Sequence, residues 1–246
     1  MPDWAIGIIA LIAGAIASVS GFGVGSLLTP VLMLSMPTAQ AVAVLAIPHA
    51  WVTTIRWLRL RADVDVPTFR QFGVASAAGG LAGALLQARL GSDALTVVLG
   101  ALLLIAGTSE TLGRSIPLPR TPTWRLLGGT LSGLFGGLVG NQGGIRAAAL
   151  LGFTLSPSRI VATATASALL VDAARVPIYL ISAGTVVRQH LLLIAVIIVG
   201  ATAGTFIGVP VLRRLPEQLY RRLLGALLVL LGLWLLAAKL STPGPG

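Results

Sequence analysis

The residues with the most chemical potential lie where charge or polarity interrupts apolar sequence. Arg146 follows the polar break Asn141-Gln142-Gly143-Gly144 and precedes the apolar run Ala147 to Phe153. A charge near the bilayer centre costs ~2.5–3.5 kcal/mol on insertion scales, so it needs a partner or an anion. The break frees backbone N–H groups, and the helix after it begins at its positive dipole end. Arg146, these N–H groups and the two amides predict an oxyanion site. The alternative is an arginine that caps carbonyl groups of the broken helix.

A second group of polar residues is spread over three other apolar segments. Asp172 and Arg175 lie three residues apart, so they share one helix face. Either they form an ion pair, or Arg175 binds the anion while Asp172 tunes it or takes a proton. An imidazole titrates near neutral pH, so His49 is a proton-coupling candidate, against a packing role. Glu110 is a third such candidate, against an interfacial position, and the basic loop near Arg56 favours an interfacial position for that arginine.

Glycines form a matching break near the N-terminus. Gly21, Gly23 and Gly25 permit a tight turn and close backbone approach, and Thr29 follows with a hydroxyl group. We include these four residues among the anion-binding candidates. No βαβ pattern surrounds the glycines, so they do not indicate a dinucleotide fingerprint.

The elements that position these residues are predicted to be membrane helices. Hydrophobic residues make up 56% of the 246 residues and charged residues 10%, with a mean hydropathy of +0.95. Soluble domains are about 25% charged. The composition therefore excludes a soluble cytosolic enzyme, a nucleic-acid binder and a disordered chain. The net charge of +10 is typical of the loop excess of an inner-membrane protein. Cysteine is absent and there are two histidines, so no metal site, cofactor or catalytic residue is predicted.

Charge-free stretches divide the chain into eight apolar segments. Residues 4–55 contain no Asp, Glu, Lys or Arg, which at 1.5 Å per residue is more than one bilayer span. The segments cover residues 4–35, 39–60, 67–88, 94–113, 124–153, 159–183, 188–212 and 217–240.

The two halves of the sequence repeat. The glycine break at 21–25 matches the break at 140–144, with an offset of about 119 residues. Two further landmarks recur in the same order, residues 79–83 at 200–204 and residues 99–103 at 224–228. We therefore expect a first membrane repeat at 1–116, a proline-containing connector at 117–123 and a second repeat at 124–246.

The basic residues favour one topology. If all eight segments cross, the loop arginines and lysines divide 9 to 6 between the two sides. If segments 4–35 and 124–153 are re-entrant hairpins, they divide 12 to 3. The positive-inside rule favours the second arrangement. The predicted fold is thus an all-α polytopic membrane protein with two inverted repeats, each a broken or re-entrant helical hairpin plus three transmembrane helices. Irregular backbone at membrane depth has to be packed or line a cavity, so we expect one central site between the repeats.

The sequence resembles the TauE/SafE family of sulfite and organosulfonate exporters. The resemblance rests on Ser20 to Gly25 followed by Thr29-Pro30, on the glycine-rich stretch 136–144, and on Ala162 to Ser167. It covers essentially the full length in two repeats. It implies a multi-pass protein of the cell inner (plasma) membrane that moves small sulfur-containing anions such as sulfite.

Three functions follow from these observations, and they differ in what they require. A secondary transporter would bind the anion at Arg146 and Arg175, cradle it between the hairpin tips and rock one repeat against the other. An intramembrane enzyme acting on a lipid phosphate would need clustered carboxylates, and only Asp172 is both deep and acidic. An anion channel would conduct without saturation. The expected partners are a small anion and the lipid bilayer, with no nucleic acid, and a homodimer is left open.

Overall fold

The computed structural model describes residues 1–20, 24–113, 121–150, 153–208 and 216–241. Within these ranges the chain is almost entirely helical and forms no strand. The α-helices are α1 (Asp3–Ser20), α2 (Val24–Leu32), α3 (Thr38–Leu60), α4 (Val66–Thr68), α5 (Val74–Gln87), α6 (Ser92–Leu112), α7 (Pro122–Val139), α8 (Gly143–Leu150), α9 (Pro157–Gln189), α10 (Leu191–Ala203) and α11 (Glu217–Ser241). A 3₁₀ turn covers Arg61–Asp63, and π-helical turns cover Phe69–Gly73 and Gly204–Gly208.

Four stretches of helix are long and apolar enough to cross a membrane within the described ranges. They are Thr38–Asp63, Ser92–Leu112, Pro157–Gln189 and Gln218–Lys239. Two shorter apolar helices cover Asp3–Ser18 and Leu191–Ile207. Every predicted apolar segment coincides with helix, which identifies a helical membrane protein.

The predicted end of segment 159–183 coincides with a kink in helix α9, where Ala183 has a non-helical backbone (φ −132°, ψ 21°). A further short stretch of helix follows the kink and ends at Gln189, and His190 separates it from α10. Val186 and Val187 pack against the largest apolar cluster, so burial keeps this stretch in helical contact with the bundle.

Each of the two long segments that were predicted to be broken contains two separate helices. In segment 4–35, α1 ends at Ser20 and α2 begins at Val24, and the predicted site residues Gly21 and Gly23 lie outside the described ranges. Segment 124–153 divides after Val139, where Gly140 takes a left-handed conformation (φ 71°) that ends α7. The connector residues 114–120 also lie outside the described ranges.

The second broken segment forms a hairpin that begins and ends on the same side of the bundle. Arg125, in the first turn of α7, places its guanidinium 4.6 Å from the ring centroid of Phe153, which follows α8. At the other end of the pair, Ser132 donates a hydrogen bond to the carbonyl of Gln142. Helices α7 and α8 therefore run in opposite directions.

The tips of the two broken segments meet inside the protein. Gly25, at the start of α2, lies directly against the carbonyl of Gly140, so any side chain at Gly25 would collide with that backbone. Next to this contact, the Ser26 hydroxyl donates to Asn141 Oδ1 at 3.1 Å. The breaks thus bring residues from opposite halves of the sequence together.

Two glycine seams join helices that run in the same direction. Gly133 and Gly137 of α7 lie against the carbonyls of Ser76 and Gly80 of α5. In the same way, Gly200 of α10 and Gly204 of the π-helical turn that follows lie against the carbonyls of Gly7 and Leu11 of α1. Residue numbers rise together along both seams, so each pair is parallel. Small residues let helix backbones approach closely in membranes.

Two other helix pairs are antiparallel. Between α6 and α11, Gly100 lies against Gly232 and Gly107 against Gly225. Between α3 and α9, His49 contacts Asp172, whereas Asp65, just beyond α3, donates its backbone N–H to Thr163. In each pair the numbers rise along one helix as they fall along the other.

Candidate functional site

A cavity of about 90 Å³ lies beside the two meeting hairpin tips. Four elements line it: the start of α2, the second half of α3, the α7–α8 break with α8, and the first half of α9. Its polar and charged wall consists of Ser26, His49, Thr53, Arg56, Gln142, Arg146 and Thr165. No aspartate or glutamate lines the cavity, so the formal charges on its described wall are positive.

Arg146 projects into this cavity from α8 and is 6% exposed. Its Nε and Nη2 atoms are buried, and neither has a hydrogen-bond partner in the described part of the chain. Most buried polar groups in proteins are hydrogen-bonded, so two unpartnered guanidinium nitrogens indicate a missing acceptor. The capping alternative requires carbonyl acceptors at these nitrogens, and the described residues provide none there.

The polar side chains around Arg146 are also incompletely satisfied. Asn141 accepts from Ser26 through Oδ1, but its Nδ2 atom is buried without a partner within the described ranges. The same holds for Nε2 and Oε1 of Gln142 and for Oγ1 of Thr29. Gly143 and Gly144 begin α8 and bring its free N–H groups to the same place. The structure therefore brings the predicted residues of the second break together with Gly25 and Thr29 of the first.

Asp172, Arg175 and His49 form one buried cluster behind the cavity. Asp172 Oδ2 lies 2.7 Å from His49 Nδ1, and Asp172 Oδ1 accepts from Arg175 Nε at 2.9 Å and contacts Nη2 at 2.8 Å. Arg175 Nη1 donates to the carbonyl of Gly136 at 2.5 Å. The ion-pair alternative is thus the one seen, and every side-chain nitrogen of Arg175 has an acceptor.

Neighbouring contacts anchor this cluster to the end of α7. Tyr179, one turn after Arg175 on α9, donates its hydroxyl to the carbonyl of Gly137. Gly136 and Gly137 belong to the last turn of α7, where the helix dipole is negative, and the Gly136 carbonyl also accepts the backbone N–H of Gly140. Arg175 and Tyr179 therefore cap α7 from α9. The sequence analysis assigned no role to Tyr179.

Glu110 lies away from the Arg146 cavity. Its Oε2 atom pairs with Arg221 Nε at 3.0 Å near the end of α6, and Glu110 lines a separate, mainly apolar groove between α6 and α8. The structure therefore brings His49 and Asp172 together and does not bring Glu110 to them. No cluster of metal-ligating side chains occurs within the described ranges.

Arg56 is a cavity residue that was not predicted to belong to the site. It was expected near the membrane interface, and it lies near the end of α3, where it also lines the cavity with Arg146. The available signal was its spacing: Arg56 follows His49 by seven residues, two helical turns, so both lie on one face of α3. Ser26 and Thr53 were also missed, because a single hydroxyl residue in a membrane helix carries little information.

A helical membrane protein with an internal, positively charged cavity between two helix breaks has the construction of a membrane transporter. Residues 6–235 match the family model of the sulfite exporter TauE/SafE, and the chain belongs to that family. The family consists of membrane transporters and not of enzymes, so the lipid-phosphatase alternative is set aside. No curated protein and no solved structure matches the chain.

Proposed function

We propose that this protein is a secondary transporter that exports a small sulfur-containing anion, such as sulfite or a small organosulfonate, across the plasma membrane. One observation carries the proposal: the buried Arg146 guanidinium has two nitrogens without an acceptor and faces a cavity whose described wall contains no carboxylate. An oxyanion supplies the missing acceptors, because guanidinium groups bind planar pairs of oxygen atoms through parallel hydrogen bonds. Asn141, Gln142 and the N-terminus of α8 add further donors.

The helix directions support two inverted repeats. If the halves correspond, then α3 corresponds to α9 and α6 to α11, and both of these pairs are antiparallel. The parallel α5–α7 seam corresponds to the parallel α10–α1 seam. A two-fold axis perpendicular to the helices produces this combination, whereas a parallel repeat would make corresponding helices run the same way. The proposed repeat bounds remain 1–116 and 124–246.

The positions of basic side chains support the re-entrant topology and set the orientation. One end of the bundle carries Arg56, Arg59, Arg61, Arg70, Arg125, Arg159, Arg221 and Arg222. The other carries Arg89, Arg188 and Lys239, and the remaining loop arginines, 114, 120, 213 and 214, lie outside the described ranges. Contacts of Arg59 with Phe206 and of Arg159 with Asp65 hold helix ends together at the basic end. We infer that this end is cytoplasmic.

The cavity in this structure lies on the cytoplasmic side of the hairpin tips. Its lining runs from the tips past Arg56, near the end of α3, to Ile160 and Val161, near the start of α9. Both of those helix ends belong to the basic end. We propose an inward-facing state, from which rocking of the repeats would open the other side.

For the coupling ion we propose a proton carried by the His49–Asp172 pair. His49 lines the cavity and contacts Asp172 directly, so a proton there is within reach of the anion site. The groups facing His49 are Asp172 and Thr53, with the charges of Arg175 behind Asp172 and of Arg56 and Arg146 across the cavity. Glu110 remains a proton-coupling candidate only because it is a carboxylic acid, since it lies away from the cavity and pairs with Arg221.

Flux into proteoliposomes tests the proposal. We expect saturable sulfite transport by the wild type and a loss of at least tenfold in Arg146→Gln, because the anion's main donor is gone. Arg89→Gln, which removes one arginine near an exposed helix end, is the matched control and should transport normally. Flux that rises without saturation would indicate the channel alternative. Equal flux in Arg146→Gln and wild type would contradict the proposal, provided that both variants purify as folded protein.

A further inference from the structure

We infer that the anion in this cavity is a compact dianion, held between Arg146 and Arg56. The inference rests on the proposed function and narrows its substrate class. It begins from the position of Arg56, whose guanidinium comes from α3 on the wall facing α8. Arg56 has no hydrogen bond or ion pair with any described residue, and it is close enough to Arg146 for their charges to interact. Within the described ranges, two arginines without a carboxylate partner therefore line one cavity.

A charge count of the site gives the charge of the missing partner. Asp172 and Arg175 cancel through their direct ion pair, and a proton on His49 would only add positive charge to the site. Arg56 and Arg146 then leave a charge of +2 on the cavity wall. Like charges repel strongly in a low-dielectric interior, and buried charges are tolerated when they are paired. A dianion balances the two charges, whereas a monoanion leaves one arginine of the cavity wall uncompensated.

The size of the cavity sets a limit on the ligand. The volume of about 90 Å³ is lined on its apolar side by Ala147, Leu150, Ala164 and Ala168. A single sulfur centre with its oxygen atoms is of this scale, and a long organic tail is not. The cavity thus favours sulfite, sulfate or thiosulfate as dianions over monovalent alkylsulfonates.

Binding of two anions of matched shape tests the charge selectivity. Thiosulfate and methanesulfonate are both tetrahedral at sulfur with one non-oxygen substituent, but they differ by one unit of charge. We would titrate each into the purified protein at pH 8 and constant ionic strength, using calorimetry. The wild type should bind thiosulfate at least tenfold more tightly than methanesulfonate. Arg56→Gln should lose at least tenfold for thiosulfate but less than threefold for methanesulfonate, so that the preference disappears.

Two further variants separate a local effect from a general one. Arg56→Lys keeps the positive charge and should keep the preference for thiosulfate. If Arg56→Gln does not fold, Arg56→Lys still tests whether the charge at this position sets the preference. Arg61→Gln removes an exposed charge from the same end of the bundle and should leave both affinities unchanged. Equal wild-type affinity for the two anions, or an unchanged preference in Arg56→Gln, would overturn the dianion inference and leave the transporter intact. Failure of the wild type to bind either anion would contradict the proposed function itself.

Discussion

Asp172 is fully buried and contacts two side chains at once, Arg175 and His49. Its carboxylate pairs with Arg175 on the same helix and with His49 on α3. A buried ion pair is costly to form but still more costly to break, because the remaining charge is left without compensation. The pair therefore fixes the geometry of α3, α7 and α9 around the cavity.

Removing the carboxylate charge should destabilise the fold. We expect Asp172→Asn to lower the free energy of unfolding by about 3–5 kcal/mol, because it leaves the Arg175 charge buried. Asp172→Asn combined with Arg175→Gln should recover part of this loss. Reversible unfolding in detergent measures both. The Asp65–Arg159 pair, whose arginine is exposed, supplies a control: an asparagine at position 65 can still accept the Thr68 N–H, so Asp65→Asn should cost less than about 1 kcal/mol. Strictly additive losses in the double variant would contradict the account.

Sequence reasoning recovers the local half of this site. The spacing of Asp172 and Arg175 predicts their shared helix face, and the polar break before Arg146 predicts a buried guanidinium. The contact with His49 spans 123 residues, and no local spacing encodes it. Arg56 was left out of the predicted site for a similar reason: its neighbours in sequence are basic loop residues, but its neighbours in space include the cavity residues.

At the scale of elements, the fold depends on close helix packing along glycine seams. The α5–α7 seam places Gly133 against the carbonyl of Ser76, with no room for a methyl group. These seams were predictable as small-residue patterns, but which helix each one meets was not. The kink at Ala183 falls at a predicted segment end, whereas the short helical stretch between the kink and His190 was not predicted.

Substituting this seam should show how much the packing contributes. In an unconstrained helix, alanine is about 0.5–1 kcal/mol more favourable than glycine. At Gly133 we expect the opposite, a loss of about 1–3 kcal/mol from overpacking against the α5 backbone. Gly91→Ala is the matched control, because nothing lies within 4 Å of a methyl group there. If Gly133→Ala changes the stability no more than Gly91→Ala does, the α5–α7 seam can accommodate a methyl group and the prediction is contradicted.

At the scale of the whole molecule, α3 packs antiparallel to α9 and α6 antiparallel to α11, and the tips of the two long segments meet inside the bundle. A repeat, a skewed arrangement of basic residues and a site between the hairpin tips were predicted from the sequence, whereas the Ser26–Asn141 contact that joins the tips required the structure. In the proposed inverted arrangement, one repeat opens the cavity toward the basic end and the other repeat would open it toward the opposite end. The anion would then reach Arg146 from the cytoplasm.

One labelling measurement tests this account most directly. The chain contains no cysteine, so Thr53→Cys introduces a single thiol into the cavity wall. We expect a membrane-impermeant maleimide to label it from the cytoplasmic side of inside-out vesicles. Sulfate, an oxyanion that does not react with maleimide, should slow this labelling saturably, and Arg146→Gln should abolish the protection. Labelling from the opposite side alone, or labelling that sulfate leaves unchanged, would contradict an inward-facing anion site at Arg146.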